Sequence, residues 1–236
     1  MKTLLCALAA FGLYASFAHA DDTDVACSIP AATVKNVQAQ LTPVVNRSDK
    51  NGGLFSPNLM WSAIVDRNGI LCSVVKTGDA WPGSRAIAIA KAETANDFSN
   101  VKLALSTAML YGPTQPGGSL YGLNNSNPFN AFYNKITQAS GDGTGIGRNP
   151  GGVITFGGGV ALYSGGQVIG GLGVSGDTSC ADHSIAFRMR KLAGLDGTPG
   201  GAGADNISYF SGPVDPTQFA QPHCGSSDLT PAQIAN

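Results

Sequence analysis

The stretch GGLGVSGD, residues 170–177, decides the fold because its glycines have two opposite explanations. They have the G-x-G-x-x-G spacing of a dinucleotide-binding loop, which opens the helix of a parallel βαβ unit. Asp196 lies 20 residues after Gly176, about where that unit carries an acidic residue at the end of its second strand. However, the sequence AGLDGTPG at 193–200 is typical of a helix end and a turn, not of a strand.

The residues around this stretch place the same glycines in a β-hairpin. Strand-forming residues at 160–163 and 167–175 flank a Ser-Gly-Gly turn. Residues 61–66 and 70–75 flank an Arg-Asn-Gly turn and predict another hairpin. Tight turns join antiparallel strands, whereas parallel strands need long crossovers. We therefore predict that the glycines serve an antiparallel sheet, by admitting a closely packed helix or marking bulges, and we expect no nucleotide.

Helical patterns surround the two hairpins. We predict helices over 31–45, over 85–99 with Ser84 as N-cap, over 101–110 and over 180–195, and a short amphipathic piece over 129–136. Residues 112–152 are otherwise rich in loops, and 197–236 are expected to form an extended tail. The order predicts an α+β fold in which one antiparallel sheet is flanked by helices.

The first 20 residues, MKTLLCALAAFGLYASFAHA, have the anatomy of a secretory signal peptide. Lys2 precedes an apolar run, and AHA at 18–20 is a small-x-small cleavage site. We therefore expect a secreted or periplasmic protein in which residues 21–236 form a single domain. No later segment has the roughly 18 unbroken apolar residues of a membrane span, so none is expected.

The charge of the chain excludes one class of partner and favours another. The net charge is −1, and there is no basic stripe to bind phosphate backbones, so we expect no nucleic acid. Charged residues make up 12% of the chain, where about a quarter is usual. So little charge favours a homo-oligomer that hides part of its surface.

Four cysteines remain after the signal peptide: Cys27, Cys72, Cys180 and Cys224. An even number in an exported protein indicates two disulfides, with three possible pairings. We favour Cys27–Cys72 and Cys180–Cys224, which join near neighbours along the chain, and the two crossed pairings remain open.

The helix over 180–195 carries the candidate site residues. Ser179 and Asp182 fit a capping box, so Asp182 is interpreted as helix-start chemistry. On a helical wheel, Ile185, Met189 and Leu192 share the face assigned to the core.

The opposite, outward face of this helix carries His183, Phe187 and Arg190. An imidazole, an aromatic ring and a guanidinium suit a flat, anionic, metal-bearing ligand, although a solvated or subunit-facing surface would have the same composition.

The second histidine after the signal peptide is His223, which immediately precedes Cys224, just as His183 closely follows Cys180. A Cys180–Cys224 disulfide would bring both imidazoles into one neighbourhood, because bonded cysteines have Cα atoms about 5–6 Å apart. A shared metal or haem iron is then possible, and coincidental closeness around a structural crosslink is the alternative.

Several short motifs together resemble the GlcG/HbpS-like haem-binding (haem-degrading) family. They are AIVDRNG at 63–69, KAETA at 91–95, GGVI at 151–154, VIGGLGVSG at 168–176, and Asp182. The resemblance covers residues 58–195 and implies a profilin-like antiparallel sheet, assembly into oligomers, and haem or a related tetrapyrrole as ligand. Long insertions over 112–150 and the tail depart from that pattern.

The leading hypothesis is an exported haem-binding protein that is non-catalytic or weakly catalytic. From their positions, His183 is predicted to bind the iron with His223 as a possible second ligand, while Phe187 packs on the macrocycle and Arg190 contacts a propionate. A second hypothesis is a small-molecule enzyme acting on a hydroxy acid or corrinoid in a pocket under the 112–150 loops. A third is a structural oligomer that has no ligand.

Overall fold

The structure is a computed structural model that describes residues 25–134, 145–212 and 218–236. The predicted signal peptide lies outside these residues, as does the end of the piece predicted over 129–136. Among the described residues, no helix combines the length and apolar character needed to cross a membrane.

The core is a four-stranded antiparallel sheet. Its strands are β1 (Trp61–Asp66), β2 (Leu71–Lys76), β3 (Gly159–Ser164) and β4 (Gln167–Ser175). They are arranged in the order β2-β1-β4-β3, and every neighbouring pair is antiparallel. Both predicted hairpins are present, and the α+β class is confirmed.

Helices cover both faces of this sheet. They are α1 (Ala31–Ala39), α2 (Leu41–Val45), α3 (Pro82–Asp97), α4 (Tyr111–Thr114), α5 (Ser179–Leu192) and α6 (Pro231–Ala235). Because successive side chains point to opposite faces of a strand, β1 contributes side chains to an apolar cluster on each face of the sheet. Ile64 joins the apolar cluster of α1, α2 and α5, whereas Trp61 and Ala63 join that of α3.

Two glycines of β4 allow α3 to lie directly against the sheet. A Cβ atom at Gly171 would come within 2.1 Å of the Ala92 carbonyl oxygen, and one at Gly173 within 2.0 Å of the Ala88 oxygen. No methyl group fits into either space. The prediction that the glycines admit a close helix is confirmed for Gly171 and Gly173, which alternate along β4. Gly176 lies just after the strand, where a Cβ atom would come within 2.3 Å of the Leu59 carbonyl oxygen.

The predicted start of α3 is wrong. The helix begins at Pro82, its N-cap is Trp81, and Ser84 lies inside it without capping. Proline is favoured at the first helical position because its φ is already helical and it lacks an N–H that would need a partner. The Trp81 carbonyl instead accepts a 2.8 Å hydrogen bond from the indole nitrogen of Trp61, which ties the helix start to β1.

The helix predicted over 101–110 is also wrong, because these residues form a bend, an irregular stretch and then a turn that precedes α4. The side chain of Asn100 accepts hydrogen bonds from the backbone N–H groups of Lys102 (2.8 Å) and Leu103 (3.1 Å). Such a local turn competes with the helical bonds. The helix predicted over 31–45 is divided into α1 and α2, since Pro43 cannot donate the backbone bond that would continue α1.

The tail runs over α5 and is crosslinked to it. It contains the short parallel strands β5 (Tyr209–Phe210) and β6 (Gln221–Pro222) and ends in α6. The favoured disulfide pairing is confirmed: Cys27–Cys72 ties the N-terminal segment to β2, and Cys180–Cys224 ties the tail to the first turn of α5, with Cα separations of 5.2 and 6.0 Å.

Candidate functional site

The first turn of α5 is capped one residue earlier than predicted. Thr178 is the N-cap, and its hydroxyl accepts a hydrogen bond of 3.2 Å from the backbone N–H of Ala181. The predicted capping box of Ser179 and Asp182 is therefore wrong. Asp182 still contributes to the helix start, because its Oδ1 accepts a 3.0 Å hydrogen bond from the Asp177 backbone N–H, while its Oδ2 binds a buried cation from another helix.

That cation is Lys91 of α3. Its Nζ lies 2.7 Å from Asp182 Oδ2 and donates another hydrogen bond to the Val174 carbonyl at 3.1 Å. Both charged side chains are buried. Burial raises the pKa of Asp182 to about 6 against the opposing effect of Lys91, and it lowers the pKa of Lys91. The pair is a structural lock that joins α3, β4 and α5.

His183, Phe187 and Arg190 lie together, but their predicted outward orientation is wrong. The rings of His183 and Phe187 are 6.1 Å apart, and the guanidinium of Arg190 lies 5.1 Å from the Phe187 centroid. Their exposed fractions are 0%, 3% and 0%. Leu192, assigned to the core face, is 56% exposed instead.

The tail buries this face of α5 and occupies its polar atoms. Arg190 makes a bidentate ion pair with Asp205, with N–O distances of 2.5 and 2.6 Å. His183 Nε2 accepts a 3.1 Å hydrogen bond from the backbone N–H of Ile207, which leaves the ring proton on Nδ1. Burial lowers the pKa of His183 to about 4, so the imidazole is neutral at pH 7.

The buried neutral imidazole should make stability depend on pH. Between pH 6.5 and about pH 4 the unfolded chain binds a proton at this histidine and native His183 does not, so His183 alone contributes a loss of up to about 1.4 kcal/mol per pH unit as the pH falls. Asp182 and Glu93 contribute slopes of the opposite sign, because their raised pKa values make the native state bind protons before the unfolded chain does. Urea unfolding between pH 7.5 and 4 will measure the slope. His183→Gln, whose amide oxygen can still accept from Ile207, removes the His183 contribution. The parent chain should therefore lose stability relative to this variant as the pH falls, by up to about 1.4 kcal/mol per pH unit, and equal slopes in the two proteins would contradict the assignment.

His223 lies in a different environment at the surface. Its side chain is 50% exposed, and its ring stacks on Tyr209 with centroids 4.3 Å apart. Its Nδ1 donates to Asp228 Oδ2 at 3.1 Å, which fixes the tautomer and leaves Nε2 without a partner among the described residues. A histidine that binds a metal almost always has its second nitrogen held by a carboxylate or carbonyl in this way.

Both imidazoles lie beside one tail segment. His183 accepts a hydrogen bond from the backbone of Ile207, and His223 stacks on Tyr209, two residues further along the chain. The side-chain groups that could hold a metal ion in the described ranges consist of disulfide-bonded cysteines with Asp66 or Asp228, and they include neither histidine. A shared iron stays a prediction, and it would require His183 to exchange its bond with Ile207.

Sequence reasoning missed the tail residues that organise both imidazoles, chiefly Asp205, Tyr209 and Asp228. They lie in a segment rich in glycine and proline, where periodicity carries no information. Glu93 was also missed. It is 2% exposed, and burial, with Asp97 and Asp66 nearby, raises its pKa to about 9.

A mostly apolar groove of about 630 Å³ lies beside the Cys27–Cys72 disulfide, between α1 and β2. Ile29, Val34 and Val75 line its walls, and Lys35 is the charged residue among those that line it. Neither histidine contributes to it, so the groove and the imidazoles are separate features.

With this geometry established, the comparisons with known proteins identify the family. The family of haem-degrading HbpS-like proteins matches residues 58–190, more than half of the chain. The chain belongs to this family. The resemblance expected from the motifs is thereby confirmed, and the HbpS-like segment contains the whole sheet, α3 and most of α5 but not the tail.

Similar proteins are known by sequence and by structure. The corrinoid adenosyltransferase PduO of Citrobacter freundii is 34% identical over 124 residues, which are 52% of this chain and 29% of PduO. PduO of Salmonella typhimurium has the same identity and coverage. This chain therefore spans less than a third of the length of these relatives.

Two solved structures have a similar fold. The Klebsiella pneumoniae protein ORFY has a TM-score of 0.52 and 22% identity, covering 74% of this chain and 96% of ORFY. A PduOC:haem complex has a TM-score of 0.50 and 25% identity, covering 71% of this chain and 95% of PduOC.

Proposed function

We propose that this protein binds haem or a closely related tetrapyrrole outside the cytoplasm, without turning it over. The observation that carries the proposal is the HbpS-like segment, whose fold also occurs in a crystallised PduOC:haem complex at 25% identity. The two disulfides support an oxidising compartment, as the predicted signal peptide does.

His223 is the better candidate for the iron ligand in the oxidised protein. When bound, haem supplies an iron centre that takes a nitrogen ligand from the protein. His223 fits that need, because Asp228 orients its imidazole and half of its side chain reaches solvent. His183 does not fit in this arrangement, since Ile207 engages its Nε2 and the side chain is fully buried.

The roles predicted for Phe187 and Arg190 change for the same reason. Arg190 already neutralises Asp205 and is buried, so it has no free charge for a propionate. Phe187 packs in the apolar cluster that the tail forms with α5. In the proposed site Tyr209 supplies the aromatic support instead, by stacking directly on the His223 ring.

Binding without turnover is proposed because haem breakdown needs electrons and oxygen, and nothing in the sequence marks a docking site for an electron donor. The HbpS-like family is named for haem degradation. Verdohaem or biliverdin absorbance appearing after haemin, ascorbate and oxygen are added would contradict this part of the proposal.

Haemin titration of the purified, oxidised protein tests the ligand and its location. We expect a Soret shift saturating at one haemin per chain, lost or weakened about tenfold or more in His223→Ala, since the axial ligand is removed. The control is His183→Gln, which should bind like the parent chain. Absence of a shift in the parent chain rejects haem binding, and a normal shift in His223→Ala rejects His223 as the ligand.

The second candidate is a corrinoid-binding protein or enzyme, which the 34% identity to PduO favours. Cobalamin added in place of haemin tests it in the same assay. Tighter binding of cobalamin that is insensitive to His223→Ala would favour this candidate, with the groove beside Cys27–Cys72 as the site to examine.

The homo-oligomer is also part of the proposal. It is supported by the low charge of the chain and by exposed aromatic side chains such as Phe55 and Trp81, whose rings are 6.4 Å apart and which are 67% and 58% exposed. Light scattering during size-exclusion chromatography will give the subunit number.

A further inference from the structure

We propose that Cys180–Cys224 is a thiol-exchanging disulfide whose reduction releases the tail from α5, whereas Cys27–Cys72 is a structural crosslink. The inference goes beyond haem binding and does not depend on it. It follows from a difference in the groups that surround the two pairs of sulfur atoms.

Hydrogen-bond donors surround the sulfur atoms of Cys180–Cys224. The backbone N–H of Cys180 donates to Cys224 Sγ at 3.2 Å, and the Ser179 hydroxyl lies 3.3 Å from the same atom. The Gln221 amide nitrogen donates to Cys180 Sγ, also at 3.2 Å. Cys180 lies in the first turn of the 14-residue helix α5, whose positive end faces these atoms. Donors and a helix N-terminus stabilise a thiolate and make it a better leaving group.

Carbonyl oxygens surround the other disulfide. Cys27 Sγ lies 3.6 Å from the Ile29 oxygen, and Cys72 Sγ lies 3.4 Å from the Ile70 oxygen. These acceptors would repel a developing thiolate. A carboxylate lies within 4.8 Å of the sulfur atoms in both cases, Asp66 for one pair and Asp228 for the other, so it does not distinguish them. The Pro222 carbonyl oxygen also lies 4.0 Å from Cys180 Sγ, so the difference between the two disulfides rests on the donor groups around Cys180–Cys224.

The exchange uses a dithiol as the reductant. Its thiolate attacks the partly exposed Cys224 sulfur, forms a mixed disulfide there, and expels Cys180 as a thiolate into the first turn of α5. The second reductant thiol then attacks the mixed disulfide and expels Cys224. The reductant loses two electrons and two protons and becomes a disulfide, while the protein gains them as two thiols.

Release of the tail would uncover the His183 face of α5. This crosslink is the covalent tie between α5 and the tail. The other contacts are non-covalent: the Arg190–Asp205 ion pair, the hydrogen bond from the Ile207 backbone to His183, and the apolar cluster that joins Phe187 to Ile207 and Ile234. The buried imidazole already has one nitrogen, Nδ1, without a hydrogen-bond partner among the described residues. The tail lies beyond the matched segment, as a separate layer over a domain that ends near α5. An opened tail would present an imidazole, an aromatic ring and a guanidinium to a ligand.

Redox titration of the full, haem-free protein in dithiothreitol buffers tests the first half of the proposal. Alkylation of free thiols followed by peptide mapping will report each disulfide separately. We expect Cys180–Cys224 to be reduced at least about tenfold faster than Cys27–Cys72, and in buffers with a less negative reduction potential. If Cys27–Cys72 opens first, or if both open only with global unfolding, the proposal is overturned.

Substitutions of the donor groups show whether the surroundings cause the difference. Ser179→Ala should slow reduction of Cys180–Cys224 several-fold, and Gln221→Glu, which replaces the amide donor by an acceptor of the same shape, should slow it further. The matched control is Ser73→Ala beside Cys72, which should change neither rate. Equal rates in Ser179→Ala, Gln221→Glu and the parent chain would reject the donor argument.

Diethyl pyrocarbonate tests the second half. It should modify the exposed His223 in both redox states, but His183 only after reduction, and the Ile207 amide should exchange with deuterium faster in the reduced protein. His223 thus serves as the internal control for reagent activity. A reduced protein in which His183 stays unmodified and Ile207 stays protected would show that the crosslink does not hold the tail closed.

Discussion

Replacing Lys91 by methionine should lower the free energy of unfolding by about 3–5 kcal/mol, because it leaves the carboxylate of Asp182 buried without its cation. Asp182 retains a 3.0 Å hydrogen bond from the Asp177 backbone N–H. This bond cannot neutralise the carboxylate, whose side chain is 2% exposed. Urea unfolding monitored by far-ultraviolet circular dichroism measures the loss. Methionine keeps the length and much of the volume of the lysine side chain, so the variant isolates the charge.

The matched control is the double variant Lys91→Met, Asp182→Asn. The asparagine oxygen can still accept from Asp177, but the side chain carries no charge, so the double variant should regain a large part of the lost stability. A loss below about 1 kcal/mol in Lys91→Met, or a double variant that is no more stable than the single one, would contradict the role of this pair as a lock.

Replacing Gly173 by alanine should cost about 3 kcal/mol or more, because the added methyl carbon would lie 2.0 Å from the Ala88 carbonyl oxygen. That atom belongs to the helix backbone, so α3 as a whole would have to move away from the sheet. Thermal unfolding measures the effect, and we expect the melting temperature to fall by many degrees.

Gly197→Ala is the control, since a Cβ atom there would meet nothing within 4 Å and its φ is not positive. This variant should unfold within about 0.5 kcal/mol of the parent chain. If the two variants were equally stable, the close approach of α3 to β4 would not be what requires glycine in the strand.

Local sequence patterns were enough to predict the two antiparallel hairpins, and they favoured the observed disulfide pairing without excluding the two crossed alternatives. The two hairpins follow from short strand-forming runs around glycine turns, and the disulfides from four cysteines paired with their near neighbours. The glycines of this hairpin were assigned to a closely packed helix or to bulges, and at Gly171 and Gly173 the structure shows the close helix.

The orientation of the candidate site could not be predicted in the same way. A helical wheel tells which residues share a face of α5, and His183, Phe187 and Arg190 do share one. It cannot tell whether a distant segment covers that face. The contacts of Asp205 with Arg190 and of Ile207 with His183 come from a tail without periodicity. A charged lysine within the alanine-rich α3 could have indicated a buried ion pair at Lys91. Its partner Asp182 could not be identified from local patterns, because it lies 91 residues away along the chain.

The contact between the two tryptophans has a practical consequence for spectroscopy. Trp61 is fully buried and donates its indole N–H to the Trp81 carbonyl, while the Trp81 ring is 58% exposed. These are the two tryptophans of the chain. The intrinsic fluorescence therefore has two components. The buried Trp61 should emit at shorter wavelengths and be shielded from acrylamide, and the exposed Trp81 should emit at longer wavelengths and be quenched. Trp61 therefore reports on the buried core and Trp81 on the adjoining surface at the start of α3, with no dye attached.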